Sequence, residues 1–455
     1  MQPRDEWKDD TGLIYTFRGV ANRELTPEIV LQIGKFVGSR WRERGEKEFL
    51  LAGDYRISTP MLKSALASGL LAAGLQVRDC GFLPSPVLAF EVRRCGIPGC
   101  IITASHNPPQ WNGLEFYEPD SHLFGPPEER EIRTRLREEV PGVSWEHLGV
   151  LQAHSGVIER YVERVAEEFP LARPLRVAID PGGGVGTLVV PHLLERLGVE
   201  FTAVNAELDP FFRQRPSEPN FEHLTALREA VWQEGARAGF AYDGDSDRLV
   251  VVDERGEHVP SDHLAWLFCK HFFPPPGPVV LNVSTSILVE TALQEQGYEC
   301  LECRWGQTFV GDLLRRTGAV FAVEPNGHFD FPQLALRSDG IAATAALCAI
   351  LAAEERELSE LLTEFPPTVI LDYTVVWEQD LAERATECQQ AIKTCLGQCE
   401  RKHERLFVGR GYPAKIVIRQ SPFDNTLRFR TEHPDRSEAE RMMAVCKEAL
   451  GVDNG

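Results

Sequence analysis

The run Thr103-Ala104-Ser105-His106-Asn107-Pro108-Pro109 puts a hydroxyl, an imidazole and a carboxamide in a segment stiffened by two prolines, directly after the apolar Cys100-Ile101-Ile102. In an open α/β sheet, ligand chemistry sits just beyond the C-terminal ends of strands, so Ser105 stands where a nucleophile belongs. Ser-His adjacency alone also fits a polar turn, and the Gly-x-Ser-x-Gly elbow of hydrolases is absent. A second run, Asp243-Gly244-Asp245-Ser246-Asp247-Arg248, follows the buried-strand pattern of residues 238–242. Positions two apart in an extended loop face one side, so the three carboxylates converge. Unpaired they would repel, and a divalent cation such as Mg²⁺ resolves the conflict. Glu254 falls in the twelfth position of a calcium EF-hand register, but Arg248 occupies the sixth, where that loop needs glycine, and residues 249–253 read as a strand. A hard cation beside an arginine and a serine hydroxyl suits phosphoryl transfer; the competing reading is a solvated acidic turn.

Three further segments are weaker. Glu324-Pro325-Asn326-Gly327-His328 offers a carboxylate, an amide and an imidazole around a tight turn, suited to sugar hydroxyls. Arg419-Gln420-Ser421 offers an arginine fork and a hydroxyl for a phosphate. Arg18-Gly19 near the N-terminus is similar in kind. Each could equally be a polar surface turn. Together they place one polar loop at corresponding strand ends of each of four domains, which describes a cleft between them.

The elements that must position these loops recur in cycles. Thr26-Pro27-Glu28 reads as an N-cap, a first-turn proline and an acidic first turn for a helix to about Gly38. Strand 49–53, a helix from Thr59-Pro60 through Leu75, helix 86–93 and strand 100–103 give the alternation of a helix-covered parallel sheet. A second cycle spans strand 175–180, a glycine-rich loop at 181–184, helix 189–197, strand 201–205, helix 224–233 and strand 238–242. A third begins at strand 278–283, with helices 287–296 and 309–316, strands 298–302 and 319–323, and a long helix 340–355. Strands 368–376, 414–419 and 427–431 with helix 437–450 form a different, α+β unit. The expected fold is three similar α/β domains with mixed sheets covered by helices, plus a C-terminal α+β domain, around a central cleft. The expected domains are 1–153, 154–260, 261–366 and 367–455.

The formal net charge of −20 repels nucleic acid and anionic membranes, so neither is an expected partner. It also repels an anionic substrate at long range, so any phosphate site must rest on local arginines, backbone N–H groups and a metal. No apolar run is long enough to span a bilayer and Met1–Asp10 is polar, which predicts a cytoplasmic protein. Eleven scattered cysteines predict reduced thiols; Cys300/Cys303 and Cys395/Cys399 could suggest zinc or redox chemistry, but no second pair completes a tetrahedral site.

These residues resemble the α-D-phosphohexomutase family, which includes phosphoglucomutase, phosphomannomutase and phosphoglucosamine mutase. The resemblance runs from Phe17-Arg18-Gly19 and Leu25–Glu28, through 53–60, 81–86, 103–109 with Asn112-Gly113, and 243–248, to 419–428. It implies that Ser105 is phosphorylated in the resting enzyme. Asp243, Asp245 and Asp247 would bind Mg²⁺ with a phosphoserine oxygen, while Arg18 and Arg248 stabilise the transferring group. Glu324, Asn326 and His328 would contact the sugar, and Arg419 and Ser421 the non-reacting phosphate. Phosphate would pass from Ser105 to the sugar, the bisphosphorylated intermediate would reorient, and its other phosphate would return to Ser105. The substrate would be a hexose 1- or 6-phosphate, mannose or glucose first and an amino sugar second. The enzyme would be a monomer or weak homodimer.

Several positions depart from the family pattern. Glu115 stands where a lysine aids the acid/base step, and Gln307 and Gly311 stand where histidine and lysine are common. Pro422 and Phe423 alter the phosphate loop, so Arg428, Arg430 or Thr431 would have to compensate. His106 becomes a candidate general acid/base. A diverged, non-mutating phosphosugar sensor is the alternative class, and a slow sugar phosphatase a third.

Overall fold

The computed structural model describes residues 17–452 apart from 137, 139, 366 and 422–425. The first sheet has the strand order Leu114–Tyr117, Gly99–Ile102, Glu48–Gly53, Gln76–Phe82, Leu151–Ala153. The second runs His258–Val259, Leu249–Asp253, Ala238–Tyr242, Arg176–Asp180, Glu200–Ala203, and the third Glu299–Cys303, Pro278–Asn282, Phe321–Glu324, His328–Asp330. In all three the central strands are parallel, and one antiparallel strand folds back on the last of them. That fold-back positions the chemistry. The segments between Ile102 and Leu114, between Tyr242 and Leu249, and between Glu324 and His328 are the three expected site loops, each bracketed by a paired register.

The fourth sheet is wholly antiparallel, in the order Val369–Val376, Thr426–His433, Ala414–Gln420, Leu406–Gly411, Glu400–His403, with helices Ala385–Leu396 and Arg436–Ala449 packed on it. Three α/β domains and a C-terminal α+β domain are therefore present. One apolar core runs continuously from Leu50 in the first sheet through Phe240 in the second to Phe321 and Phe365 in the third. The helix Gly340–Ala353 is apolar on every side and buried along almost its whole length in that core. The fourth domain has its own core and meets the third through a small cluster of Val283, Leu406, Val408 and Val417.

Helices Pro126–Arg135, Val157–Glu168, Ser261–Phe272 and Ala385–Leu396, and the short edge strands, are additions to the sequence reading. The first helix does start at Thr26, whose Oγ1 accepts from Ile29 N, but it runs to Glu43 and not to Gly38. Gly38 is a packing residue: a Cβ there would come within 2.6 Å of Ala73 Cβ, beside the neighbouring helix Thr59–Ala72. That helix itself stops at Ala72, short of the expected Leu75, before Gly74 at φ +90°. No described helix is long and apolar enough to cross a membrane.

Candidate active site

Ser105 is 2 % exposed and sits in the left-handed region at φ 47°, a strained conformation for a non-glycine residue. The surrounding structure holds it there. Arg56, itself fully enclosed, donates through Nη2 to the carbonyls of Ser105 (2.6 Å) and Asn107 (2.8 Å), and through Nη1 to those of Pro108 and Trp111. Its Nε bonds Asp54 Oδ2 at 2.9 Å, so all arms of the guanidinium are used. Thr103 Oγ1 accepts from Ser105 N, and Ser217 from the second domain donates to the carbonyls of His106 and Asn107. Sequence reasoning missed Arg56 and Ser217 as functional residues. Asp54-x-Arg56 lay within a motif that was recognised, whereas nothing local marks Ser217.

Ser105 Oγ donates to Asp243 Oδ2 at 2.7 Å and lies 3.2 Å from His106 Nδ1. Asp243, Asp245 and Asp247 are all buried, with ligand oxygens within 4.8 Å of one another. Each carboxylate is oriented from outside. Asp243 Oδ1 accepts from Arg248 N, Asp245 Oδ2 from Ser85 and Thr103, and Asp247 Oδ2 from Arg337 Nη2. Asp245 Oδ1 and Asp247 Oδ1 are buried without a hydrogen-bond partner. Orphaned anionic oxygens are costly, and three hard oxygen donors turned to one space fit a divalent cation such as Mg²⁺. The electrostatics agree. Burial, and then the charge on Asp247, push Asp243 up to about 7, while burial and both neighbours raise Asp245 well above the usual carboxylate range. Burial alone would raise Asp247 too, but Arg337 and His328 outweigh it and hold this carboxyl well below its usual range.

The third-domain loop meets the acidic loop directly. His328 Nε2 lies 3.3 Å from Asp247 Oδ1, and Nδ1 lies 3.1 Å from Glu324 Oε2. Burial would depress this imidazole, but the two carboxylates raise it to about 9, so it is charged: Nδ1 donates to Glu324, and Nε2 forms an ion pair with Asp247 without a hydrogen bond to it. Arg248 Nε, 3.2 Å from Nε2, is then a neighbour of the imidazolium, and its Nη1 is paired with Glu218. Glu324 accepts four donors, from Asn282, Gly306 N, Gln307 and His328. To bind a sugar hydroxyl it would have to release one of them. Gln307, placed where the family commonly has histidine, is the Glu324 neighbour that also accepts from Ser338.

Asn326 and Arg419 line one cavity between the third and fourth domains, together with Ser284, Trp305, Arg428 and Arg430. The Arg419 guanidinium stacks 4.3 Å above the Trp305 ring. Ser421 is not among the lining residues; it is buried just past the strand Ala414–Gln420, with its N–H on Thr426 O. Of the residues expected to compensate, Arg428 and Arg430 face this cavity. Thr431 faces the other way and donates to Ala439 O. Pro422 and Phe423 lie outside the described residues.

The departures acquire partners. Glu115 accepts from Arg18 Nη2 through Oε1 and from Arg337 Nη2 through Oε2, each at 2.9 Å, while Arg18 Nη1 reaches Asn107 Oδ1. Gly311 is buried where a Cβ would lie 3.1 Å from the His122 ring, so it marks a contact between the third and first domains. His106 is held well below its usual range by burial and by Arg248 and Arg18, which leaves it neutral. All eleven cysteines are free thiols. A second acidic cluster, Glu91 with Cys95 and His154, is already neutralised by Arg94 and Arg160.

Fold and site together define a four-domain enzyme built to move a charged group. The family model for Phosphoglucomutase/phosphomannomutase, alpha/beta/alpha domain I, matches residues 15–141, that for domain II residues 159–256, and that for domain III residues 260–369. A probable phosphoglucosamine mutase of Methanosarcina barkeri is 35% identical over 353 residues, 77% of this chain and 78% of its own. A phosphoglucomutase/phosphomannomutase of Thermococcus kodakarensis is 34% identical over 362 residues, 77% of this chain and 78% of its own. The crystal structure of a phosphoglucomutase/phosphomannomutase family protein from Burkholderia thailandensis superposes with a TM-score of 0.84 at 26% identity, covering 97% of both chains. The chain belongs to the α-D-phosphohexomutase family, and it is an enzyme of the isomerase class.

Proposed function

We propose that this enzyme interconverts the 1- and 6-phosphates of a hexose, with Ser105 as the phosphate carrier and Mg²⁺ held by Asp243, Asp245 and Asp247. The observation that supports it most is the 2.7 Å contact between Ser105 Oγ and Asp243 Oδ2, inside a triad with two unpartnered carboxylate oxygens. The cation, when bound, would neutralise charge on the phosphoryl oxygens. Arg18, bonded to Asn107 of the serine loop, and Arg248, whose N–H holds Asp243, would stabilise the group in transfer. A sugar hydroxyl takes the phosphoryl group from phosphorylated Ser105, and the P–O bond to the serine breaks. The bisphosphorylated sugar turns over in the cleft. Ser105 Oγ then attacks its other phosphate, the P–O bond to the sugar breaks, and neutral His106, 3.2 Å away, is placed to accept the serine proton while the departing sugar oxygen is reprotonated to a hydroxyl. Arg419, Arg428 and Arg430 would hold the phosphate that is not reacting, and Asn326 and His328 the sugar.

Glucosamine phosphate is the first substrate to test, ahead of mannose and glucose phosphates. Two observations favour it: the M. barkeri relative bears that activity in its name, and Asn326 Oδ1 is a buried acceptor without a partner, suited to an N–H donor. The deciding experiment is turnover of glucosamine, glucose and mannose 1-phosphates, with Ser105→Ala as control and intact mass for the phosphoserine. Isomerisation of at least one sugar, lost in Ser105→Ala, is expected. A phosphorylated protein that isomerises none of them would make it a sensor, and net release of inorganic phosphate a phosphatase.

A further inference from the structure

Two carboxylates from different domains converge on one nitrogen. Arg337 Nη2 lies 2.9 Å from Glu115 Oε2 and 2.6 Å from Asp247 Oδ2, and Arg337, Glu115 and Asp247 are only 3, 3 and 2 % exposed. Glu115 stands on the fold-back strand of the first domain, Asp247 in the acidic loop of the second, and Arg337 just before helix Gly340–Ala353 of the third. Through Arg18, the chain of contacts continues to Asn107, two residues from Ser105. The serine loop and the acidic loop are thus joined around the site by alternating charges: Arg18, Glu115, Arg337, Asp247.

The charges in this enclosed space explain why. Glu115 adds a fourth carboxylate to the triad, and a phosphoryl group brings up to two more negative charges. In a dry site, removing one partner of a buried pair leaves the other uncompensated, which costs far more than the pair contributes. Without Arg337, Glu115 and Asp247 would face each other across the vacated guanidinium.

We propose that Arg337 and Glu115 form one positioning unit, an interdomain clamp that balances the acidic loop against the incoming phosphoryl group. Arg337 supplies the cation, and Glu115 anchors it between the domains. The proposal rests on the phosphotransferase reading, and it makes expectations that a merely structural contact does not. Arg337→Met removes a cation beside Asp247, so Mg²⁺ binds at least as tightly as before while the phosphosugar is repelled. Removing the stranded carboxylate as well should then restore function.

The test is calorimetric titration with Mg²⁺, unfolding midpoints and steady-state kinetics on the wild type, Arg337→Met, Arg337→Lys and the double variant Arg337→Met/Glu115→Gln. Arg337→Met should keep or tighten Mg²⁺ binding and lose about 100-fold in kcat/KM; the double variant should recover about tenfold of that and unfold at a higher temperature than Arg337→Met. Arg337→Lys, which keeps the charge, should stay within about tenfold of the wild type. A double variant no better than Arg337→Met, a more than about tenfold loss of Mg²⁺ affinity in Arg337→Met, or Arg337→Lys as damaged as Arg337→Met would each overturn the clamp. If the wild type isomerises no hexose phosphate, the phosphotransferase reading fails by itself, and the titrations and unfolding midpoints still decide the clamp. Should Arg337→Met not fold, a double variant that folds supports it, and one that does not overturns it.

Discussion

The carbonyl oxygen of Ser105 rests against Gly244 so closely that a Cβ at that glycine would come within 2.7 Å of it. The serine loop of the first domain and the acidic loop of the second are therefore in backbone contact, with no room for a methyl group between them. Gly244→Ala must push the two loops apart, and the Ser105–Asp243 contact opens with them. Expected are a loss of about 1–3 kcal/mol of stability and at least about 100-fold in kcat/KM, measured by urea unfolding and by turnover below the unfolding transition. Wild-type kinetics in this variant would show that the two loops need not touch.

Arg56 donates to four carbonyls of the serine loop while buried away from water. Arg56→Met strands those acceptors together with Asp54 and releases the strain held at Ser105. Stability should fall by about 3–5 kcal/mol. Arg56→Lys should recover only part of it, since an ammonium cannot reproduce the planar fork. Chemical denaturation of the three proteins checks the order.

Trp305 of the third domain carries the Arg419 guanidinium of the fourth on its ring face. Exposed to partly desolvated cation–π contacts are worth about 0.5–2 kcal/mol. Trp305→Ala should therefore raise KM for the phosphosugar by about threefold to thirtyfold, with a smaller effect on kcat, in initial-rate measurements. A change confined to kcat would place Arg419 away from the bound phosphate.

Asp262 offers a pH test of stability. Its Oδ2 accepts from Ser286 N, and burial, opposed by Arg430, pushes the carboxyl up from 3.8 to about 6. Between those values the folded protein keeps a proton that the unfolded chain gives up, so stability falls as pH rises through the window. Above about pH 6 the whole cost of burying the charge is present. Asp262→Asn should stabilise the protein by about 1–3 kcal/mol at pH 8 and by much less at pH 4, read from denaturant midpoints. Equal effects at both values would mean that the charge is not the cause.

Much of this molecule was legible one segment at a time. Apolar runs ending at Gly53, Ile102, Asp180, Tyr242 and Asn282 announced strands because a central parallel strand is buried on both faces and tolerates little else. Edge strands such as Glu400–His403 are exposed and escaped notice for the converse reason. Gly38 misled because a glycine that ends a helix and one that lets two helices approach are the same residue on paper.

Residue types and spacing by themselves singled out the candidates, a serine and three alternating aspartates at strand ends, where backbone geometry turns side chains toward a common space. They could not determine what those groups meet. That Arg337 faces both Glu115 and Asp247, and that Arg56 holds the Ser105 turn, depend on contacts between residues tens to hundreds of positions apart. Such pairings follow from how whole domains pack, and electrostatic energies in a buried site depend on those distances more than on residue type.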